Sequence, residues 1–423
     1  MNRYALPSLA VVGGLAAVLV VSSFAQPDTQ VQAQAQPELR AQPAVQEGGA
    51  TASLRPGQLE DPGPITFNPA GWSTDFSISA VPFIEIISGG PPKDGIPAID
   101  DPVFESIAAA RGWLDGNSPV IALEIDGDAR AYPLAIVTWH EIVNDTVGDV
   151  PVVVTFCPLC NTALAYDRTV DGVVHDFGVS GVLRFSDLVM YDRQTETWWQ
   201  QATGFGIVGD QTGTRLPFRV SQLIGLDQFA EAYPDGMVLS RDTGHNRRYG
   251  ANPYPGYDTA DQQPFLFVGE TDGRIAPKER VVTLGEGTDG IAFPHSSLRS
   301  VGAVAETVGD KPIVVFWEPG SASALGSAII DESEDIGSTG VFSPVVDGQQ
   351  LTFTRDGGEG GTITDEQTGS TWTVTGRAID GPLAGTSLEP IGHANHFWFA
   401  WAAFAPETRI WTPDGTILFG QAG

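Results

Sequence analysis

Residues 151–168 read PVVVTFCPLCNTALAYDR, and residues 312–325 read PIVVFWEPGSASAL. Each opens on a proline and a run of β-branched and aromatic residues, the composition of a buried strand. Each run is broken at a second proline, Pro158 or Pro319, and then resumes with Ala-Leu. The offset between them, 161 residues from Pro151 to Pro312, holds outside the two stretches as well. Val120 falls on Val281, Leu123 on Leu284 and Ala131-Tyr132-Pro133 on Ala292-Phe293-Pro294. Thr146-Val147-Gly148-Asp149 falls on Thr307-Val308-Gly309-Asp310. After an insertion the offset becomes 173, so that Asp192, Thr195 and Trp199 match Asp365, Thr368 and Trp372. Matches at both apolar and turn positions predict two homologous β-rich units, residues 120–240 and 281–413, packed with approximate two-fold symmetry.

The rest of the chain fits that frame. VIALEIDGDARAYPL reads as a hairpin around Asp126-Gly127, and Asp171-Gly172 marks another. Helical patterns are confined to short segments at residues 103–114 and 223–233. The 50 Gly and 31 Pro separate many short apolar runs. The expected class is mainly β with short helices, a β-rich α+β fold. Residues 65–119 form a turn-rich lead-in, 241–280 a connector and 414–423 a tail.

The first 25 residues read as a secretory signal: Arg3, an apolar core from Ala10 to Val21, and Ser23-Phe24-Ala25 before the expected cut. Residues 26–64 are rich in Gln, Ala, Pro and Glu, and read as a flexible tether. No later segment is long and apolar enough to span a bilayer. The expected location is therefore outside the cytoplasm, periplasmic or extracellular. A retained membrane anchor is the alternative.

The chain carries 52 acidic against 22 basic residues, a formal net charge of -30. Such a surface repels phosphate backbones and argues against nucleic-acid binding.

The copies differ where chemistry is possible. Cys157 and Cys160, the only cysteines, fall on Glu318 and Ser321, while His140 and Glu141 fall on Val301 and Gly302. Residues needed for folding should recur in both units, and these four do not. C-x-x-C in a turn between strands is a knuckle that offers two thiolates to one ion. With His140 as third ligand the set suits copper or zinc. Glu141 would orient the imidazole or accept a proton. His396 and Met190 are secondary candidates, although packing explains both. The expected partner is a small molecule or a metal-trafficking protein. Two other readings use the same cysteines: a thiol–disulfide redox pair, or a structural disulfide in a non-catalytic binding module. Whether the protein is an enzyme stays open, and no organic cofactor is indicated. C-x-x-C-H haem attachment fails at Asn161, and no Walker loop, G-x-S-x-G elbow or H-E-x-x-H is present.

The strings WHEIVND, TFCPLCNTALAYDR, FGVSG, LVMYDRQTETWWQQATG and FWFAWAAFAPET resemble the family filed as domain of unknown function 3179. The resemblance runs from about Val81 to Pro413, and CPLC is its most specific mark. It implies an exported or membrane-anchored protein of bacterial or archaeal type, with no activity to carry over.

Overall fold

The computed structural model describes residues 57–420. The signal segment and the tether as far as residue 56 lie outside the described residues. The packed chain starts earlier than Ile65, because Leu59 N donates to Ser79 O (2.8 Å) and Phe83 N to Pro62 O (2.9 Å). No helix among the described residues is long and apolar enough to cross a membrane.

The fold is mainly β with few short helices. In the first half, Pro119–Ile125 and Asp128–Pro133 form a hairpin closed by Asp126 and Gly127, both at positive φ. Gln222–Gly225 pairs antiparallel on one side of it and Met237–Leu239 parallel on the other. In the second half, the hairpin Arg280–Leu284 and Ile291–Pro294 is flanked antiparallel by Ala394–Phe397 and parallel by Arg409–Trp411. A short helix follows each hairpin, Leu134–Val137 or His295–Val301.

Three-stranded ladders come next. Ile142–Val147, Val150–Cys157 and Thr162–Asp167 pair in order, as do Ala303–Val308, Lys311–Glu318 and Ser338–Phe342. Four short antiparallel strands then run from Phe177 to Val208 and again from Phe353 to Asp380. Both sets shift register beside the matched tryptophan, between Trp198 and Trp199 and between Thr371 and Trp372. The hydrogen bonds recur too. Trp199 Nε1 donates to Asp192 Oδ2 at 2.9 Å, and Trp372 Nε1 to Asp365 Oδ2 at 3.0 Å.

The halves share a sheet, since Asn395 pairs with Ala163. In the other direction, Gln222 Nε2 donates to Thr339 O at 3.4 Å. The predicted helix at 103–114 is shorter than expected: Phe104–Ser106 is a strand paired with Met237–Leu239, and the helix spans only Ile107–Ala110. Ser106 caps it by accepting from Ala109 N, and an available sheet edge outcompetes helix propensity upstream. Trp198 and Trp199 are fully buried core residues.

Candidate metal centre

Val150–Cys157 and Thr162–Asp167 pair down to their last rung, Cys157 opposite Thr162. The four residues between them, Pro158 to Asn161, form the turn, with Asn161 at φ 52°. This is a knuckle between strands and has no helix behind it. Both cysteines are free and buried. The far half holds the turn in place, as Phe397 N donates to Cys160 O at 2.8 Å.

The third member of the site is Asp187. Cys160 donates its thiol to Asp187 Oδ1 at 3.0 Å. Donor atoms of Cys157, Cys160 and Asp187 all lie within 4.8 Å of one another. Asp187 opens its strand after the two-residue turn Phe185-Ser186, with φ values of 54° and 62°. Left-handed backbone at a bulky aromatic residue is costly, about 1–3 kcal/mol. The turn sets two groups at the knuckle: Ser186 O, which accepts the Cys157 thiol at 3.6 Å, and the Asp187 carboxyl.

Other buried groups fix that carboxyl. Gln200 Nε2 and Ala202 N both donate to Oδ2, at 2.5 and 2.9 Å. Gln200 Oε1 in turn accepts from Arg184 at 3.4 Å, and Arg184 is ion-paired with Glu85 at 2.7 Å.

The electrostatics are one-sided. Burial pushes the Cys157 thiol up and the Cys160 thiol well up, with Asp187 adding to both. Burial raises Asp187 to about 6. Burial, with repulsion from Asp187, raises Glu141 to about 8. Four acidic groups thus share one buried region. Arg184, whose field reaches Asp187, is committed to Glu85. Among the described residues no Lys or Arg side chain bonds to Asp187. Buried anions without a counter-charge are costly. The cluster must hold protons or a cation.

His140 does not join the cysteines, contrary to the expectation. Its Nδ1 meets Pro97 O at 2.7 Å and its Nε2 meets the Tyr249 hydroxyl at 2.7 Å. A carbonyl can only accept, so Nδ1 carries the proton and Nε2 accepts from Tyr249. No lone pair is left for a metal. Burial pulls this imidazole down to about 4 and keeps it neutral. The cause is the backbone: Glu141 sits at φ 61°, which turns the chain between His140 and Ile142. Glu141 stays within the field of Asp187 and Cys157, while His140 faces Tyr249 and His245.

His396 comes close without joining. Its Nδ1 bonds Thr162 Oγ1 at 2.8 Å, and its ring stacks on Trp401 at 4.9 Å. Met190 is a fully buried core residue, and strand alternation puts it on the face opposite Asp187. Asp187 itself had one usable signal. At the 173 offset it falls on Gly360, so it too is present in one copy only.

A family model described as "Protein of unknown function (DUF3179)" matches residues 93–408. The chain belongs to that family. The matched span contains the knuckle, Asp187 and Glu141. Neither a curated protein nor a solved structure matches the chain.

In this DUF3179 member the predicted connector also roofs the site. The Tyr257 hydroxyl donates to Leu159 O inside the knuckle at 2.9 Å. Ser186 Oγ donates to Phe265 O at 2.6 Å. Lys278, one of three lysines, is buried with its ammonium 3.6 Å from the Tyr257 ring centre. Burial, with the Glu141 and Cys157 charges, pushes the Tyr254 hydroxyl up. The loop is well anchored although it has no regular secondary structure.

Proposed function

We propose that this is an exported metal protein whose ion is held by Cys157, Cys160 and Asp187. The observation that carries the reading is a buried triad of donor atoms within 4.8 Å of one another. Two zinc–sulfur bonds in tetrahedral geometry put the sulfurs roughly 3.8 Å apart, inside that limit. Thiolates suit both zinc and copper(I), but a carboxylate is a hard donor and favours zinc. Three protein ligands leave a fourth position for water or substrate, as at reactive zinc sites. Glu141, buried beside the triad and charged only above about pH 8, is suited to exchange a proton there. The roof and the burial of the knuckle support slow, selective loading from a metal-trafficking partner.

The export signal read in the first 25 residues fits a site loaded outside the cytoplasm. We also read the halves as copies of one unit about an approximate two-fold axis. Their matching strand order and reciprocal contacts support this.

Elemental analysis of reduced, reconstituted protein tests the metal reading. One equivalent of zinc or copper is expected in the wild type, and a loss in both Cys157→Ser and Asp187→Asn. Thiol–disulfide exchange is the second reading, favoured by the closeness of the two sulfurs. It needs the cysteines but not Asp187. Buried thiols that hold their protons make poor nucleophiles, which weakens it. Metal content unaffected by Asp187→Asn would sink the triad.

A further inference from the structure

A cavity of about 500 Å³ opens at the seam between the halves. It does not open onto the cysteines. Ala202 stands between the two: its N–H holds Asp187, and the residue also lines the cavity. The volume is in the range of small-molecule sites, and seams between units are where such sites concentrate.

Most of the lining is apolar or aromatic. Tyr166 and Phe218 come from the first half, packed edge to face at 6.0 Å, and Trp401 from the second. The Tyr166 hydroxyl is used by Gln201 O and the Trp401 N–H by Thr408 Oγ1. Arg215, the one cation in the lining, is ion-paired with Glu286 across the seam.

Two buried polar atoms of lining residues have no partner, His393 Nε2 and Thr283 Oγ1. His393 Nδ1 donates to Ile391 O at 2.8 Å, so Nε2 is the unprotonated nitrogen and accepts only. Thr283 has a hydroxyl proton to give. Thr283 pairs with Ala394, the residue after His393, so the two residues sit at adjoining positions along the chain segments that line the cavity. Unmet buried groups of this kind cost about 1–3 kcal/mol each.

We propose that this cavity binds a neutral hydroxylated aromatic molecule. An aromatic body suits the Tyr166, Phe218 and Trp401 walls. A hydroxyl both donates, as His393 Nε2 requires, and accepts, as Thr283 requires. The ligand is neutral because Arg215 is already paired and the chain carries a net charge of -30. The site stands whether or not Cys157, Cys160 and Asp187 hold a metal.

Titration calorimetry with 2-naphthol and 2-methoxynaphthalene tests it on the full chain. The ether keeps the rings and lacks the donor. One 2-naphthol per chain is expected, with the ether about tenfold weaker, the worth of one hydrogen bond. His393→Leu should bring the two probes to equal affinity. Ala394→Phe should fill the cavity and abolish binding of both, with thermal unfolding checked alongside. Cys157→Ser should leave 2-naphthol binding unchanged. No saturable binding at millimolar probe, or equal affinity for the two probes in the wild type, overturns the proposal. So does a preference for 2-naphthol that survives His393→Leu.

Discussion

The Cys160 thiol donates to Asp187 Oδ1 over 3.0 Å, across 27 residues of sequence. That contact joins the knuckle to the first turn of the four-stranded ladder. It turns a two-cysteine motif into a three-donor site. Everything around Asp187 keeps its carboxyl in place, from the Phe185-Ser186 turn to the Gln200 amide.

Gln200 should therefore tune the metal without touching it. Its amide holds Asp187 Oδ2, and its carbonyl faces Arg184. Gln200→Leu is expected to weaken metal affinity by about 10–100-fold, the usual cost of losing such support. Competition with a chromophoric chelator measures this. Unchanged affinity would mean that Asp187 is not a ligand or needs no orienting.

Metal uptake should release protons. The thiols are raised by burial and hold their protons at neutral pH, whereas Asp187, at about 6, is already ionised at pH 7.5. About two protons should leave per ion bound, and affinity should climb with pH. Calorimetry in buffers of different ionisation enthalpy counts them. Release of none would show that the thiols are not the ligands.

Much of this architecture is readable from sequence for identifiable reasons. Asp126-Gly127 and Asp171-Gly172 announce their turns because glycine adopts positive φ freely. The strand–knuckle–strand at Cys157 follows from a β-branched run before Pro158 and the apolar Ala163-Leu164-Ala165-Tyr166 run after it. Asp192 and Asp365 recur because each satisfies the same indole in its own half. The failures are equally physical. The Phe185-Ser186 turn has no glycine and no conventional signature, so nothing local pointed to Asp187. His140 lies close before the knuckle strand in sequence, but the chain turns at Glu141 with positive φ and the ring meets Tyr249 instead of the sulfurs.

The roof should be separable from the fold. Ser186 Oγ to Phe265 O is a side-chain tie between the strained turn and the covering loop. Ser186→Ala removes it while leaving the backbone turn. Thermal stability should fall by no more than about 1 kcal/mol, the net worth of one hydrogen bond. The reaction of Cys157 and Cys160 with a thiol reagent should speed up in the metal-free protein. Equal reaction rates in wild type and variant would show that the loop does not control access.

The recurring Asp–Trp pair should matter for folding and not for metal. Asp192 accepts from Trp199 Nε1, Thr195 N (2.7 Å) and Thr195 Oγ1, and Asp365 accepts the equivalent set around Trp372. Either aspartate changed to Ala strands a buried indole N–H, and should cost roughly 2–4 kcal/mol in urea unfolding. Metal content of the folded fraction should stay at one equivalent. Loss of metal with Asp365→Ala, in the half without the cysteines, would contradict the division between framework and site.

Glu141 supplies a test that needs no metal at all. Its folded-state value is about 8 against an ordinary 4.5, raised by burial first and by Asp187 second. Between those values the native chain holds a proton that the unfolded chain has lost. The stability from this group is complete below about pH 4.5 and drains away as pH rises toward 8. Metal-free protein should thus be less stable at pH 8 than at pH 5.5, by an amount on the order of a few kcal/mol from this group. Glu141→Gln keeps the shape, removes the ionisation, and should flatten that part of the profile. Asp187 contributes in the same direction over a narrower range, ending near pH 6. Urea unfolding of both proteins at the two pH values separates them. If wild type and Glu141→Gln lose stability in parallel, Glu141 is solvated and cannot be the proton-exchanging neighbour of the metal site.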